Sequence, residues 1–445
     1  MPTLPYPTHH EGAPLNRFRV HRLTVRRIWA AATLFGLTTA PRLLWAQAAN
    51  ATGTASCAPG PDGRPLPGIE VLLRDSLHLV RGTRVGLITN HSGRDLAGVS
   101  TIDRLHRTPG VRLTALYGPE HGIRGTEKAG AKIGNSVDSA TGVPVYSLYG
   151  ETRVPTAEML RDVDVLLFDI QDVGARVYTY PWTMALAAEA AGKAGKRFVV
   201  LDRPNPIRND RVEGGVLDLA FRSFVGQYAV AARYGLTPGE LMRWLVGSGQ
   251  VQVPLSVVPM CGYRATDWYD DLRWPWIDWS PNLRTLDAAL LYPGTVFFEG
   301  TNLSEGRGTD APFTQAGAPW LTDAQAIADA LNARRLGGVH FDVAVRRVEV
   351  GYKHGGATIP MLRARVTDRE SLRPVDVGAW MLREIRARHP GAWQWRPEAI
   401  DRLAGGDRLR KAVDESDAAV EALLRAFRAE AAVFEQQVAA YRLYR

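Results

Sequence analysis

The sequence predicts an α/β fold: a Rossmann-like parallel-sheet domain over residues 67–250, followed by a smaller α+β domain over residues 251–445. Three observations carry this reading. Short apolar runs of strand length at 85–89, 113–117, 163–170 and 198–201 alternate with stretches where Ala and Leu recur at helical spacing. Each run is mostly apolar rather than alternating, the pattern of a strand covered on both faces. Beyond residue 250 the texture changes to a loop-rich stretch dense in Trp, Pro and Gly, then strand-like runs, then a long amphipathic helix. A chain of 445 residues also exceeds what one compact core usually holds, so two domains are expected.

The chain opens with a leader. Arg17, Arg19, Arg22, Arg26 and Arg27 precede a mostly apolar run at 28–39, and Ala46-Gln47-Ala48 matches a signal-peptidase site. That run falls short of the roughly 20 residues that span a bilayer. Residues 1–48 therefore read as a cleaved signal peptide, and the mature chain as secreted or periplasmic with no stable membrane insertion. An uncleaved anchor or a basic tail is the alternative. Arg26-Arg27 is a weak match to twin-arginine export, and Thr54-Ala55-Ser56-Cys57 is an imperfect lipoprotein box. Residues 49–66, rich in Ala, Thr, Gly and Pro, read as a linker.

The formal charge of +8 belongs mostly to this leader, where six Arg and one Glu leave a net of +3 for the rest. No nucleic-acid footprint is supported. Cys57 and Cys261 fit no zinc or redox spacing. Export would permit a disulfide between them; two unrelated thiols are an equal reading.

Along the fold, 155–161 and 182–194 read as helices, and 339–349 and Thr358–Val366 as strands. Residues 414–444 read as an amphipathic helix with Val420, Leu423, Leu424, Phe427, Val433 and Phe434 on one stripe. In such a sheet, ligands bind beyond the carboxyl ends of the strands. The segments there are polar: Thr89-Asn90-His91-Ser92-Gly93, Gly118-Pro119-Glu120-His121-Gly122, Asp169-Ile170-Gln171-Asp172-Val173-Gly174 with Arg176, Tyr178 and Tyr180, and Asp202-Arg203-Pro204-Asn205-Pro206. All four are expected to converge at one edge.

Several chemistries drop out. No G-x-G-x-x-G follows a strand, and the nearest approach to a P-loop, at 125–132, lacks the required Lys and Ser or Thr. No nucleotide cofactor is expected. No G-x-S-x-G elbow is present. Zinc on His91, His121 and Asp169 would need ligands from three separate loops with no H-E-x-x-H, a weak signal. A carboxylate-centred site remains. Glu120 on its Gly-flanked loop suits the acid that protonates a departing sugar oxygen; capping a helix or pairing with Arg124 is the bland alternative. Glu299–Asp310 adds carboxylates, Asn302 and Arg307 on a glycine-rich segment. Arg307 could grip an anionic group in a bidentate pair, or simply neutralise Glu305 or Asp310. Trp268, Trp274, Trp276 and Trp279 offer stacking faces for sugar rings, or ordinary packing.

Taken together, these strings resemble the exo-β-N-acetylmuramidase family. They are joined by Gly86-Leu87-Ile88-Thr89-Asn90, Pro144-Val145-Tyr146-Ser147-Leu148-Tyr149-Gly150, Tyr178-Thr179-Tyr180, Ser280-Pro281-Asn282, Tyr292-Pro293-Gly294 and Gly317-Ala318-Pro319-Trp320. The likeness spans residues 69 to 444 in order. It implies an active cleft between the two domains, and removal of terminal N-acetylmuramic acid (MurNAc), β-1,4-linked to GlcNAc, from peptidoglycan fragments. It also implies Glu120 as the catalytic acid, with Tyr146 as a second catalytic or orienting residue. Candidate substrate contacts are Asn90, His91, His121, Asp172, Arg176, Tyr178, Asn282, Glu299, Asn302, Glu305 and Arg307, with no metal. Arg176 or Arg307 would take the lactyl carboxylate. The second actor is either water activated by Asp172, Glu299, Glu305 or Asp310, or the substrate's 2-acetamido group oriented by Tyr146 or Tyr178. Two other readings stand beside this: a non-catalytic muropeptide or amino-sugar binder, and an exo-glycosidase for another amino sugar.

Overall fold

The computed structural model describes residues 57–120, 122–124 and 134–445. The leader at 1–48, residues 49–56 of the linker, His121 and the whole P-loop-like stretch at 125–132 lie outside the described residues.

The first half runs α1 (Gly68–Asp75), β1 (Arg84–Thr89), α2 (Thr101–Arg107), β2 (Arg112–Gly118), β3 (Ser136–Val137), β4 (Pro144–Ser147), β5 (Val165–Asp169), α3 (Tyr180–Lys193) and β6 (Arg197–Leu201). A ribbon of β7 (Glu213–Val216) and β8 (Ala231–Arg233) follows, then α4 (Pro238–Gly247) and β9 (Leu255–Val258). Seven strands form one sheet in the order β3-β4-β2-β1-β5-β6-β9. All its pairs are parallel except β3 with β4. β9, beyond residue 250, pairs with β6 in this sheet.

The strands are apolar throughout because side chains alternate between two cores. Val85, Leu87, Leu116, Val165, Leu167, Val199 and Leu201 face one core, shared with Ile69 and Leu72 of α1 and Ile102 of α2. Ile88, Tyr117, Leu166, Phe168, Phe198 and Val200 face the other. The direction of strand addition reverses between β1 and β5, the position where such sheets leave a crevice. Residues 155–161 form turns rather than the expected helix. Its main-chain bonds, Leu160 N–H to the Thr156 carbonyl at 3.1 Å and Arg161 N–H to the Glu158 carbonyl at 3.1 Å, close single turns that do not propagate.

The second half contains α5 (Leu286–Thr295), β10 (Gln315–Gly317), α6 (Ala324–Ala333), β11 (Val339–Arg347), β12 (Thr358–Val366), α7 (Pro374–Arg388), α8 (Pro397–Ala404), α9 (Arg408–Glu415) and α10 (Asp417–Val438). Its sheet is antiparallel in the order β10-β12-β11. The expected C-terminal helix is split at Ser416, whose hydroxyl caps α10 by accepting from the Ala419 N–H at 3.1 Å. Val420, Leu423, Leu424, Phe427 and Phe434 are buried as expected, but Val433 is 53% exposed, one step round the helix from Phe434. The α10 helix returns to the first half. A Cβ on Gly215 of β7 would stand 2.4 Å from the Phe427 ring, so only glycine admits this approach.

The last residues are anchored beneath β6. Leu443 and Tyr444 N–H groups donate to Glu240 Oε1 at 2.7 and 3.2 Å. The Tyr444 hydroxyl donates to Asp202 Oδ2 at 2.7 Å and accepts from the Met260 N–H at 2.9 Å. Asp202, in the fourth polar loop, thus ties down the C-terminus. Cys57 and Cys261 form a disulfide with Cα atoms 5.0 Å apart, closing a separation of 204 residues.

Replacing both cysteines with Ala should lower stability by ~2–4 kcal/mol, because the unfolded chain regains loop freedom. A urea midpoint equal to that of the oxidised parent would refute this. Tyr444→Phe leaves the Met260 N–H without its acceptor and should cost about 1–3 kcal/mol, read from the same transition.

Candidate active site

The chain leaves β2 at Gly118 and turns through Pro119 and Glu120, the Gly122 N–H donating to the Pro119 carbonyl at 2.9 Å. Gly122 has φ +70°, a conformation that favours glycine. This turn presents Glu120, half-buried, at the carboxyl edge of the sheet. Thr179 Oγ1 donates to Glu120 Oε2 at 3.0 Å, and the Tyr180 hydroxyl meets the Glu120 carbonyl at 3.4 Å. The Tyr149 hydroxyl also bonds the Glu120 carboxylate; burial, then that carboxylate, pushes the Tyr149 pKa up to about 12. Tyr149 therefore stays protonated and donates.

Glu120 opens into a cavity of 70 Å³ lined by Tyr178, Thr179, Asn282, Tyr292, Arg307 and Phe313 among others. The first domain supplies Glu120 and the Tyr178-Thr179 pair, and the second half supplies Tyr292 from α5 with Arg307 and Phe313. Rings wall it edge to face: Tyr178 lies 4.7 Å from Tyr180 and 6.3 Å from Tyr292, and Tyr292 lies 4.8 Å from Phe313. The Tyr178 hydroxyl donates to the Trp279 carbonyl at 2.9 Å, pinning the Trp-rich loop to the first domain. Burial holds the Tyr178 and Tyr292 hydroxyls well above the usual tyrosine range, so they remain neutral.

Arg307 is the cation in this lining, and its guanidinium sits 4.9 Å over the Phe313 ring. It pairs with Glu299 at 2.8 Å and Glu305 at 3.2 Å. Asp310, the other expected partner, pairs instead with Arg346 at 2.8 Å. Burial raises the Glu299 pKa against the pull of Arg307. Glu305 is also buried, but Lys353 and Arg307 together hold it below the usual carboxylate range.

The remaining candidates divide. Asn90 accepts from the Ser92 N–H at 2.9 Å and hydroxyl at 2.6 Å, and bonds the Tyr180 hydroxyl, so it orders the loop behind the site. His91 Nε2 lies 2.5 Å from the Asp278 carbonyl. Tyr146 packs its ring 5.6 Å from Tyr117, its register partner in β2. Asp172 is buried, with Oδ2 taken by the Gly174 N–H at 2.9 Å and by the Tyr234 hydroxyl. Burial pushes its pKa up to about 6, against those two hydrogen bonds. Asp169, the carboxylate of the zinc reading, holds Arg203 at 2.5 Å.

Arg176 and Asn302 lie outside the lining of this cavity. Arg176 is fully buried and donates to the carbonyls of Gly215, Val230 and Leu403 at 2.9, 3.0 and 3.0 Å. It joins the β7–β8 ribbon to the end of α8. The Asn302 side chain bonds the Ala392 carbonyl at 2.8 Å and the Gln394 N–H at 3.1 Å, fixing a loop crossing. The polar loops after the strands border two cavities. Segments after β1 and β6 line a second cavity of 180 Å³ with Gln171, Tyr269, Trp274, Trp276 and Trp279. Trp268 and Trp279 are buried packing, while Trp276 is 39% exposed.

Tyr149, Thr179 and Phe313 are site residues that the sequence reading did not single out. Tyr149 and Thr179 lay inside quoted strings; Phe313 carried no signal. Arg176→Lys should lower stability by about 2–5 kcal/mol, since it strands buried carbonyls, and leave the KM of the folded enzyme unchanged. A raised KM at parental stability would return Arg176 to the substrate.

Both halves match known families. The N-terminal model of exo-beta-N-acetylmuramidase NamZ covers residues 85–287, and the C-terminal model covers residues 290–444. Peptidoglycan beta-N-acetylmuramidase NamZ of Bacillus subtilis (strain 168) is 40% identical over 378 residues, covering 85% of this chain and 91% of that protein. A crystal structure of a DUF1343 family protein from Bacteroides fragilis NCTC 9343 aligns with TM-score 0.80 at 35% identity, covering 86% of this chain and 99% of that one. A second from the same organism aligns with TM-score 0.69 at 26% identity and the same coverage. With both halves matched and this level of identity along most of its length, the chain belongs to the exo-β-N-acetylmuramidase NamZ family.

Proposed function

We propose that this protein is an exo-acting glycoside hydrolase that releases the non-reducing terminal MurNAc of MurNAc–GlcNAc saccharides derived from peptidoglycan. The observation that carries the reading is Glu120: a carboxylate at the mouth of an aromatic-walled cavity, oriented by Thr179 and Tyr149. In the reaction, Glu120 in its acid form protonates the glycosidic oxygen as the bond to C1 breaks, and GlcNAc departs as the alcohol. Tyr149 and Thr179 hold the carboxyl group in one orientation. Arg307 faces the lactyl carboxylate that distinguishes MurNAc from GlcNAc.

The second actor is the substrate's own 2-acetamido oxygen, which attacks C1 before water opens the resulting ring. Glu120 is the one carboxylate among the described residues lining the cavity. Glu299 and Glu305 are committed to Arg307, and Asp172 is buried on Tyr234. Asp310 pairs with Arg346, and the engagement of all four elsewhere supports the acetamido route. This route retains the anomeric configuration, so NMR of the first product should show the β-anomer of MurNAc. The α-anomer would sink it. Export to an oxidising compartment is part of the proposal, supported by the Cys57–Cys261 disulfide.

The decisive assay is release of free MurNAc from the MurNAc–GlcNAc disaccharide. Glu120→Gln should lose roughly 10²–10⁴-fold in kcat while still binding the disaccharide. No release by the folded parent, with other amino-sugar glycosides also inert, would favour a muropeptide-binding protein instead.

A further inference from the structure

Arg307 is the one cation among the described residues lining the Glu120 cavity, yet two carboxylates already hold it. Those three charges sum to −1, and a site of that sign repels an anionic substituent. A fourth group changes the sum. Lys353 Nζ lies 3.0 Å from Glu305 Oε2, while Arg307 takes Glu305 Oε1, so Glu305 is gripped on both oxygens. The same ammonium donates to the carbonyls of Phe298 at 3.0 Å and Leu303 at 2.9 Å. A lysine has three donors, and these contacts use them all.

Lys353 arrives on the loop between β11 and β12. The Glu349 N–H donates to the Gly308 carbonyl at 2.8 Å, and His354 Nε2 meets the Asn302 carbonyl at 2.8 Å. A Cβ on Gly308 would stand 2.6 Å from the Tyr352 ring, so glycine is what admits the loop. The loop therefore clamps the segment that carries Arg307 from both ends.

We propose that Lys353 is a positioning and specificity residue. By holding Glu305 it neutralises the cluster and fixes Arg307 toward the cavity, leaving Glu299 as the partner that an anionic sugar substituent displaces. Glu299 is the more accessible of the two acids, its side chain 28% exposed against 5% for Glu305. Burial raises the Glu299 pKa, whereas Lys353 and Arg307 lower that of Glu305. This inference rests on the glycosidase reading above.

The test compares Lys353→Met and Lys353→Arg with the parent. Calorimetry measures affinity for free MurNAc and for GlcNAc, which lacks the lactyl carboxylate, and kinetics follow MurNAc release from the disaccharide. Lys353→Met should weaken MurNAc binding and raise KM roughly 10-fold or more, with kcat and GlcNAc affinity little changed. Lys353→Arg should restore most of the loss. Parental MurNAc affinity and KM in folded Lys353→Met would overturn the assignment and leave the glycosidase reading standing. An equal loss for both sugars would overturn it too, marking the lysine as a prop of the fold.

Discussion

Every central strand of the parallel sheet is apolar on both faces, and that constraint organises the rest of the molecule. Such a sheet is stable only while both sides are covered. Helices α1 and α2 cover one side. The other side continues into the second half, so that Phe168, Tyr178, Tyr292, Leu362 and Phe427 belong to one core. The α10 helix and the terminal Tyr444 close the structure by returning to β7 and to the loop after β6. The cavity is consequently a seam in a continuous core rather than a gap between two loosely joined bodies.

Burying so much apolar surface leaves polar groups at the strand ends that must be satisfied, and most of the polar motif residues do that work. Arg176 is held by three carbonyls, Asp169 holds Arg203, and Asp202 and Glu240 receive the C-terminal residues. Removing either member of such an arrangement leaves a desolvated group unpaired, which costs more than the contact itself contributes. Glu120 also receives hydroxyl donors, Thr179 and Tyr149, but unlike those groups it borders the cavity walled by Tyr178, Tyr292 and Phe313.

The site also depends on charge balance across the seam. Glu299, Glu305, Arg307 and Lys353 form a neutral cluster beside Glu120.

Much of the fold was legible in the sequence because burial on both faces writes itself as mostly apolar runs. The strands at 85–89 and 198–201, the helix over 182–194 and the position of Glu120 after a strand follow from local pattern alone. The turns at 155–161 and the exposed Val433 escaped it, since neither tertiary context nor a 100° step round a helix is visible in composition. The fate of the polar residues was decided only in three dimensions. Arg176 and Arg307 look alike in sequence, yet one meets three buried carbonyls and the other a cavity. The pairing of Cys57 with Cys261, the contact of Tyr149 with Glu120 and the approach of Lys353 to Glu305 all join distant or unpatterned positions. Local sequence sets which side chains can be charged, apolar or nucleating; which of them meet depends on how the sheet and its returning helix bring the two halves together.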